Sequence, residues 1–144
     1  MTQPIPAVFA TIALASLALG ACSSATEPAA APNLSLLLGA IEVTTAETPS
    51  VNVAENDVVF RGAIETPCPS YQILADAQRS AEGYVITLRG NRASGACPDA
   101  VANVPYIGTL WDLPSGTARV IVRHVIEDAN WPADTVIDTR VVVR

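Results

Sequence analysis

The sequence predicts an all-β protein, a single antiparallel β-sandwich of about seven strands. Polar and apolar residues alternate with a period of two in repeated segments, and Gly, Pro and other turn residues separate these segments. No window shows the apolar period of about 3.6 residues that an amphipathic helix would need. The pattern occupies residues 39–144, a length that is typical of one small sandwich domain.

The alternation predicts the strands in chain order. Residues 34–41 are too few to span a membrane and Gly39 interrupts them, so we expect this run to begin the first strand. In the second strand, Val58, Phe60, Gly62 and Ile64 fall on one face. The strands are predicted at 39–45, 57–65, 71–76, 83–89, 104–111, 117–127 and 135–143.

Turn residues predict how these strands connect. Residues 79–82 join the third and fourth strands as a hairpin, and the polar residues 91–95 form a loop. Leu113-Pro114-Ser115-Gly116 places Pro and Gly where a tight reversal uses them. We therefore interpret Ser115 as a turn residue rather than a nucleophile.

The N-terminal segment predicts an export signal. Residues 1–26 contain no charged side chain, and residues 7–21 form an apolar run that is too short for a bilayer but has the length of a secretory signal core. The run ends in Leu19-Gly20-Ala21-Cys22, which resembles the lipobox of bacterial lipoproteins. The n-region departs from a typical signal because it has no Lys or Arg. The alternatives are an ordinary secretory signal or an uncleaved apolar N-terminus, in which Cys22 is incidental.

The lipobox resemblance implies a domain plan and a location. Residues 1–21 would be the signal peptide, residues 22–38 a lipidated N-terminus with a flexible tether, and residues 39–144 the sandwich domain. Cys22 would carry the lipid and anchor the chain to the membrane of the bacterial cell envelope. Ser23 favours the outer membrane in a host with two membranes, because an Asp at that position directs inner-membrane retention in the proteobacterial pattern.

The cysteine count favours a disulfide between Cys68 and Cys97. The chain has three Cys, and assigning Cys22 to the lipid leaves an even pair in an oxidising compartment. A metal pair or a redox pair is less favoured, because the sequence has neither a C-x-x-C spacing nor a second His.

Residues 58–143 resemble uncharacterised bacterial lipoproteins with an immunoglobulin-like or fibronectin-III-like sandwich. The resemblance is carried by a Cys, a Tyr-led strand, a hairpin, a second Cys and the run from Leu110 to Val122 with its Leu-Pro-Ser-Gly turn. It implies a fold and no known active site. The chain departs from true immunoglobulin domains, which place a Trp between two inter-sheet Cys, because Trp111 and Trp131 both follow Cys97.

Charge and motifs exclude several classes of function. The formal net charge is −6 and the chain has no Lys, so binding of nucleic acid through phosphates is disfavoured. Phosphate-binding glycine loops, dinucleotide motifs and His pairs for metals are missing, and we expect no cofactor, no metal and no catalytic residue.

His124, the single His, shares a strand face with Val120 and Val122 and is expected to be packed. A catalytic role would need a nucleophile at a strained turn, and the sequence has no Gly-x-Ser-x-Gly.

Three sets of polar or aromatic residues are candidate binding groups. Carboxylates at turns could bind Ca²⁺ but match no known calcium loop, so we interpret them as solvated turn residues. Arginines on strands could form a patch for an anionic glycan or partner, or simply a charged solvent face. Two Trp could stack on sugars or pack at the rim. The residues are Glu55, Asp57, Glu127, Asp128 and Asp134; Arg61, Arg89, Arg92, Arg119 and Arg123; and Trp111 and Trp131.

Together these features predict a lipid-anchored cell-envelope protein whose sandwich is a non-catalytic interaction or structural module. Its expected partners are the membrane, through the anchor, and an envelope protein or glycan. The alternatives are a binding module for a glycan, a small ligand or Ca²⁺, a hydrolase that uses His124, and an inhibitor of envelope proteases that presents residues 91–96 as a rigid loop.

Overall fold

The protein is a sandwich of two four-stranded sheets. The structure, a computed structural model, describes residues 30–41 and 47–144. Within these residues no helix could cross a membrane. Sheet 1 has the strand order β1-β6-β3-β2 and sheet 2 the order β4-β5-β7-β8, which confirms the predicted all-β sandwich. The strands are β1 (Asn33–Leu38), β2 (Ser50–Ala54), β3 (Asp57–Thr66), β4 (Tyr71–Ser80), β5 (Gly83–Arg92), β6 (Ala102–Trp111), β7 (Gly116–Ile126) and β8 (Asp134–Val143).

The start of the domain differs from the prediction. The first strand lies at Asn33–Leu38, where Leu34 and Leu36 pack against the core, and residues 39–41 are not in a strand. Residues 42–45 of the predicted strand lie outside the described residues. The sheet therefore begins upstream of the boundary predicted at Gly39. The structure has one strand more than the seven predicted. This additional strand is β2, which was not predicted because it has only five residues and a short alternation around Val51 and Val53.

The predicted hairpin is confirmed, with longer strands. Residues Tyr71–Ser80 pair with Gly83–Arg92, so a two-residue turn replaces the predicted four-residue connection, and β5 takes up the start of the predicted loop at 91–95. Gly83 has a φ of 134°, and a Cβ there would overlap the backbone carbonyl of Arg119. Only glycine fits this close approach between β5 and β7.

One strand pair is parallel in a fold otherwise built from antiparallel pairs. β5 and β7 run in the same direction, with Tyr84 beside Val120 and Gly90 beside Ile126. Between them the chain crosses to sheet 1 as β6 and returns. Because β6 reverses the direction once in the other sheet, β7 comes back to sheet 2 in the direction of β5.

Two aromatic rings and two glycines interlock at the centre of sheet 1. Phe60 on β3 lies opposite Gly108 on β6, and Tyr106 on β6 lies opposite Gly62 on β3. A Cβ on Gly62 would lie 2.6 Å from the Tyr106 hydroxyl, and a Cβ on Gly108 would overlap the Phe60 ring. Each ring thus occupies the space above the glycine of the neighbouring strand, and both are buried in the core between the sheets.

The predicted cysteine pair lies at disulfide distance. The Cα atoms of Cys68 and Cys97 are 5.5 Å apart and the sulfurs are joined. Ser70 holds the same connection, since its carbonyl accepts from the Ala93 N–H at 2.8 Å and its hydroxyl donates to the Ala96 carbonyl at 2.7 Å. The segment between β5 and β6 is therefore tied to the start of β4 at three points.

We expect Gly108→Ala to lower the free energy of unfolding by about 1–3 kcal/mol, because the new methyl group overpacks the Phe60 ring. The matched variant Gly39→Ala places its Cβ 3.3 Å from Pro105 and should cost less. Urea unfolding followed by Trp fluorescence measures both. Equal stability of the two variants would contradict the interlocked packing.

Replacing both Cys68 and Cys97 by Ala should lower the free energy of unfolding by about 3–4 kcal/mol, as expected for a loop of this length in the chain-entropy account. Unfolding curves with and without reductant give the measurement. The native chain should lose stability on reduction, whereas the double variant should not respond. A native chain that ignores the reductant would show that the bridge does not form.

Candidate functional site

A cleft opens where β3 extends beyond its neighbour β2. The pairing of β2 ends at Ser50 opposite Arg61, so the rest of β3 has no partner on that side among the described residues. Beside it, the segment before β2 and the connection from β7 to β8 border a cleft of about 480 Å³. The polar and aromatic residues that line it are Glu47, Glu65, Asn103, His124, Trp131 and Asp134.

His124 connects this cleft to the core. Its Nε2 lies 3.0 Å from the Tyr106 hydroxyl, and the two rings meet edge to face at a centroid distance of 5.5 Å. His124 is on sheet 2 and Tyr106 on sheet 1, so the hydrogen bond bridges the sandwich. The missing Cβ of Gly62 leaves room for the Tyr106 hydroxyl in this position.

Burial sets the charge of both rings. It lowers the pKa of His124 to about 4, and the Asp134 carboxylate opposes this shift only in part. It also raises the pKa of Tyr106 well above its usual range, an effect that the charge of Glu47 reinforces. Both side chains are therefore neutral at pH 7.

The surroundings of His124 fit the packed role that the sequence predicts. A base for nucleophilic catalysis needs a hydroxyl or thiol nucleophile within hydrogen-bond distance. The one side-chain hydrogen-bond partner of His124 in the described part of the chain is the buried Tyr106. Ser115 lies in the turn before β7, at the opposite end of that strand from His124.

The predicted carboxylate candidates do not form one cluster. Asp57 accepts a hydrogen bond from the backbone of Asp112, and Asp128 accepts one from the backbone of Arg92. Glu127 pairs with Arg89 at 3.0 Å. Asp134 alone among the predicted carboxylates lines the cleft. In residues 30–41 and 47–144, no group of three His, Cys, Asp or Glu is placed to bind a metal.

Two of the five candidate arginines, Arg89 and Arg119, are paired with carboxylates. Arg61 is on sheet 1, whereas Arg89 and Arg119 are on sheet 2. Arg119 contacts Asp138 through two nitrogens at 2.7 Å and lies 3.8 Å from Glu82. Arg89 bridges Asp76 and Glu127. These ion pairs neutralise the charge of Arg89 and Arg119, which favours the alternative of a charged solvent face for these two residues.

The two Trp lie at opposite ends of the sandwich. Trp111 ends β6, where its indole N–H donates to the Ser35 hydroxyl at 3.0 Å. Trp131 lines the cleft and remains 37% exposed.

Cys22 lies outside the described residues, so its lipidation stays a prediction.

Sequence reasoning missed three residues of the cleft, Glu47, Glu65 and Asn103. Asn103 is only 8% exposed although it carries an amide, and it is the second residue of a strand whose other residues are mostly apolar. The position of the Asn103 amide in an apolar strand is visible in the sequence, so this residue could have been singled out as a site candidate. Nothing in the sequence indicates that Glu47 lies close to Glu65.

We expect the free energy of unfolding to fall by about 3 kcal/mol between pH 7.5 and pH 4, because unfolded His124 takes up a proton below pH 6.5 and the folded one does not until about pH 4. His124→Gln should remove most of this dependence while keeping a partner for Tyr106. Urea unfolding at several pH values measures it. Identical pH profiles for the two proteins would contradict the neutral, buried imidazole.

No protein-family model, curated protein or solved structure matches the chain.

Proposed function

We propose that the chain is a lipid-anchored protein of the bacterial cell envelope and that its sandwich is a non-catalytic interaction module. The observation that carries this proposal is the Leu19-Gly20-Ala21-Cys22 sequence at the end of an uncharged apolar run. The disulfide distance between Cys68 and Cys97 supports it, because a structural disulfide suits an exported protein and leaves Cys22 for the lipid.

The position of the tether fits a module that faces away from the membrane. The chain enters sheet 1 at Asn33, which pairs with Trp111 at the end of β6. The cleft includes Asn103, near the start of β6, so β6 separates the two points by about 25 Å at ~3.3 Å per residue. An anchor at Cys22 would thus leave the cleft at the distal end.

The environment of His124 supports a binding role over a catalytic one. The imidazole of His124 is neutral, is 9% exposed and forms a hydrogen bond with the buried Tyr106 hydroxyl. Such a group stabilises the packing between the sheets and presents one edge to the cleft. A hydrolase would require an additional activated nucleophile beside it.

The intact mass of the full chain, isolated from bacterial membranes, should equal that of residues 22–144 plus acyl chains. Two thiols should become reactive only after reduction. Cys22→Ser should abolish acylation and release the chain from the membrane fraction, whereas the neighbouring control Ser23→Ala should remain acylated. Full-length mass without acyl groups in the native chain would overturn the proposal.

A further inference from the structure

We propose that two copies of the chain pair through β4, an edge strand of sheet 2, as antiparallel strands with Leu74 at the two-fold axis. The pairing joins the two copies of sheet 2 into one continuous sheet, with four strands from each copy. This inference rests on the proposed function in one respect, because it names a second copy as the partner of the interaction module. The pairing itself does not require the anchor.

The outer edge of β4 presents backbone donors and acceptors in a regular row. β4 pairs with β5 on one side, and within residues 30–41 and 47–144 no strand pairs with it on the other. The Ala93 N–H donates to the Ser70 carbonyl, which extends the register of β4 and β5 by one residue pair. Because hydrogen-bonded and non-hydrogen-bonded pairs alternate, the even-numbered residues of β4 direct their backbone groups toward β5. The odd-numbered residues from Tyr71 to Ala77 therefore direct theirs outward.

β4 differs from the other three sheet edges because it lacks the features that protect edge strands from association. β1 and β2 are short, with six and five residues. The pairing of β8 contains a register shift between Val122 and Arg123 of its neighbour β7. β4 has ten residues in unbroken register and contains neither Pro nor Lys. Long, regular edges of this kind are the ones to which further strands add.

The two charged side chains of β4 contact its own partner strand, β5. Asp76 lies 3.2 Å from the Arg89 guanidinium, and the Arg79 guanidinium lies 5.9 Å from the centre of the Tyr84 ring. Both Arg89 and Tyr84 are on β5. The charges that could repel a second strand are thus engaged within one copy.

Leu74 selects the register of the self-pairing. It is 58% exposed and shares the outer face of sheet 2 with Gln72 and Asp76, whereas the odd-numbered residues of β4 pack on the core. An axis at Leu74 places the two leucines opposite each other and Gln72 opposite the partner's Asp76. An axis at Asp76 would bring two carboxylates together, and one at Ala75 would place Leu74 opposite a carboxylate. The axis at Leu74 covers an exposed apolar side chain and avoids both.

The outward backbone groups match in this register. Tyr71 lies opposite the partner's Ala77 and Ile73 opposite the partner's Ala75, and symmetry repeats each of these hydrogen-bonded pairs. Pro69 has no N–H, so the ladder ends before it. The backbone hydrogen bonds supply the affinity of such a pair, and the side chains of the outer face select the register.

The symmetry is compatible with two anchors in one membrane. A two-fold axis perpendicular to sheet 2 keeps sheet 1 of both copies on the same side of the joined sheet. The chain enters each copy through sheet 1, at Asn33. Both tethers therefore start on that side, and anchoring two copies to one surface raises their effective concentration.

Cysteine cross-linking of the full chain in bacterial membranes tests the register. Leu74→Cys places two thiols in a non-hydrogen-bonded pair with Cα atoms about 4.5 Å apart, a distance that a disulfide spans. We expect mild oxidation to double the mass of most of this variant on a non-reducing gel. Gln78→Cys, on the same strand, is the matched control and should stay monomeric, because the two substituted positions would be about 26 Å apart at ~3.3 Å per residue. Equal cross-linking of the two variants, or none in Leu74→Cys, would overturn the inference.

Leu74→Lys tests the pairing without a cross-link. Sedimentation equilibrium of the full chain in a density-matched detergent should show a dimer whose dissociation constant rises about fivefold or more in this variant, because like charges would lie opposite each other. Val142→Lys, at a 66% exposed position on the other edge strand of sheet 2, is the control and should dimerise like the native chain. Both positions are exposed, so both variants should keep the native melting temperature. Equal weakening by the two variants, or a native chain that stays monomeric at about 0.1 mM, would contradict the pairing.

The two proposals fail separately. Cross-linking of Leu74→Cys in a chain without acyl groups would overturn the envelope anchor and keep the β4 pair. A chain that is acylated at Cys22 but does not cross-link in the Leu74→Cys variant would keep the anchor and overturn the pair.

Discussion

The structure depends on one buried contact, the hydrogen bond between Tyr106 and His124. A sandwich needs its two sheets to pack without unpaired polar atoms, and this bond satisfies a phenol and an imidazole across the core. Tyr106 reaches His124 because Gly62 leaves space beside it, and the Phe60 ring next to it uses Gly108 in the same way. On β3 and on β6, the aromatic residue and the glycine are two positions apart, so each ring faces the glycine of the other strand. This spacing sets the packing of sheet 1 and the position of His124.

The distribution of charge follows from strand pairing. On sheet 2, Arg89 and Arg119 each contact one carboxylate on a neighbouring strand and one in an adjoining turn. Exposed ion pairs of this kind add little stability, but they leave that face close to electrically balanced. The carboxylates of the cleft have no such arginines among its lining residues. Arg89 and Arg119 therefore offset carboxylates near sheet 2, whereas the carboxylates that line the cleft have no arginine among the lining residues.

Much of the fold was predictable because a period of two is a local property. Val58, Phe60, Ile64, Ile86, Leu88, Val120 and Val122 occupy the core as their alternation indicates. The hairpin between β4 and β5 follows from turn residues close in sequence, and the cysteine pair follows from the count of three Cys. The short strand β2 and the start of β1 were missed because five or six residues give too little alternation to place a strand.

The sequence by itself determined the all-β class, the faces of most strands and the pairing of Cys68 with Cys97. These features depend on spacing along the chain. Only the tertiary structure decided that β5 and β7 run parallel, that Tyr106 meets His124, and that Glu47, Glu65, Asn103 and Asp134 share one cleft. The reason is physical: which strands become neighbours depends on how two sheets bury their apolar faces together, and alternation within a single strand carries no information about that choice.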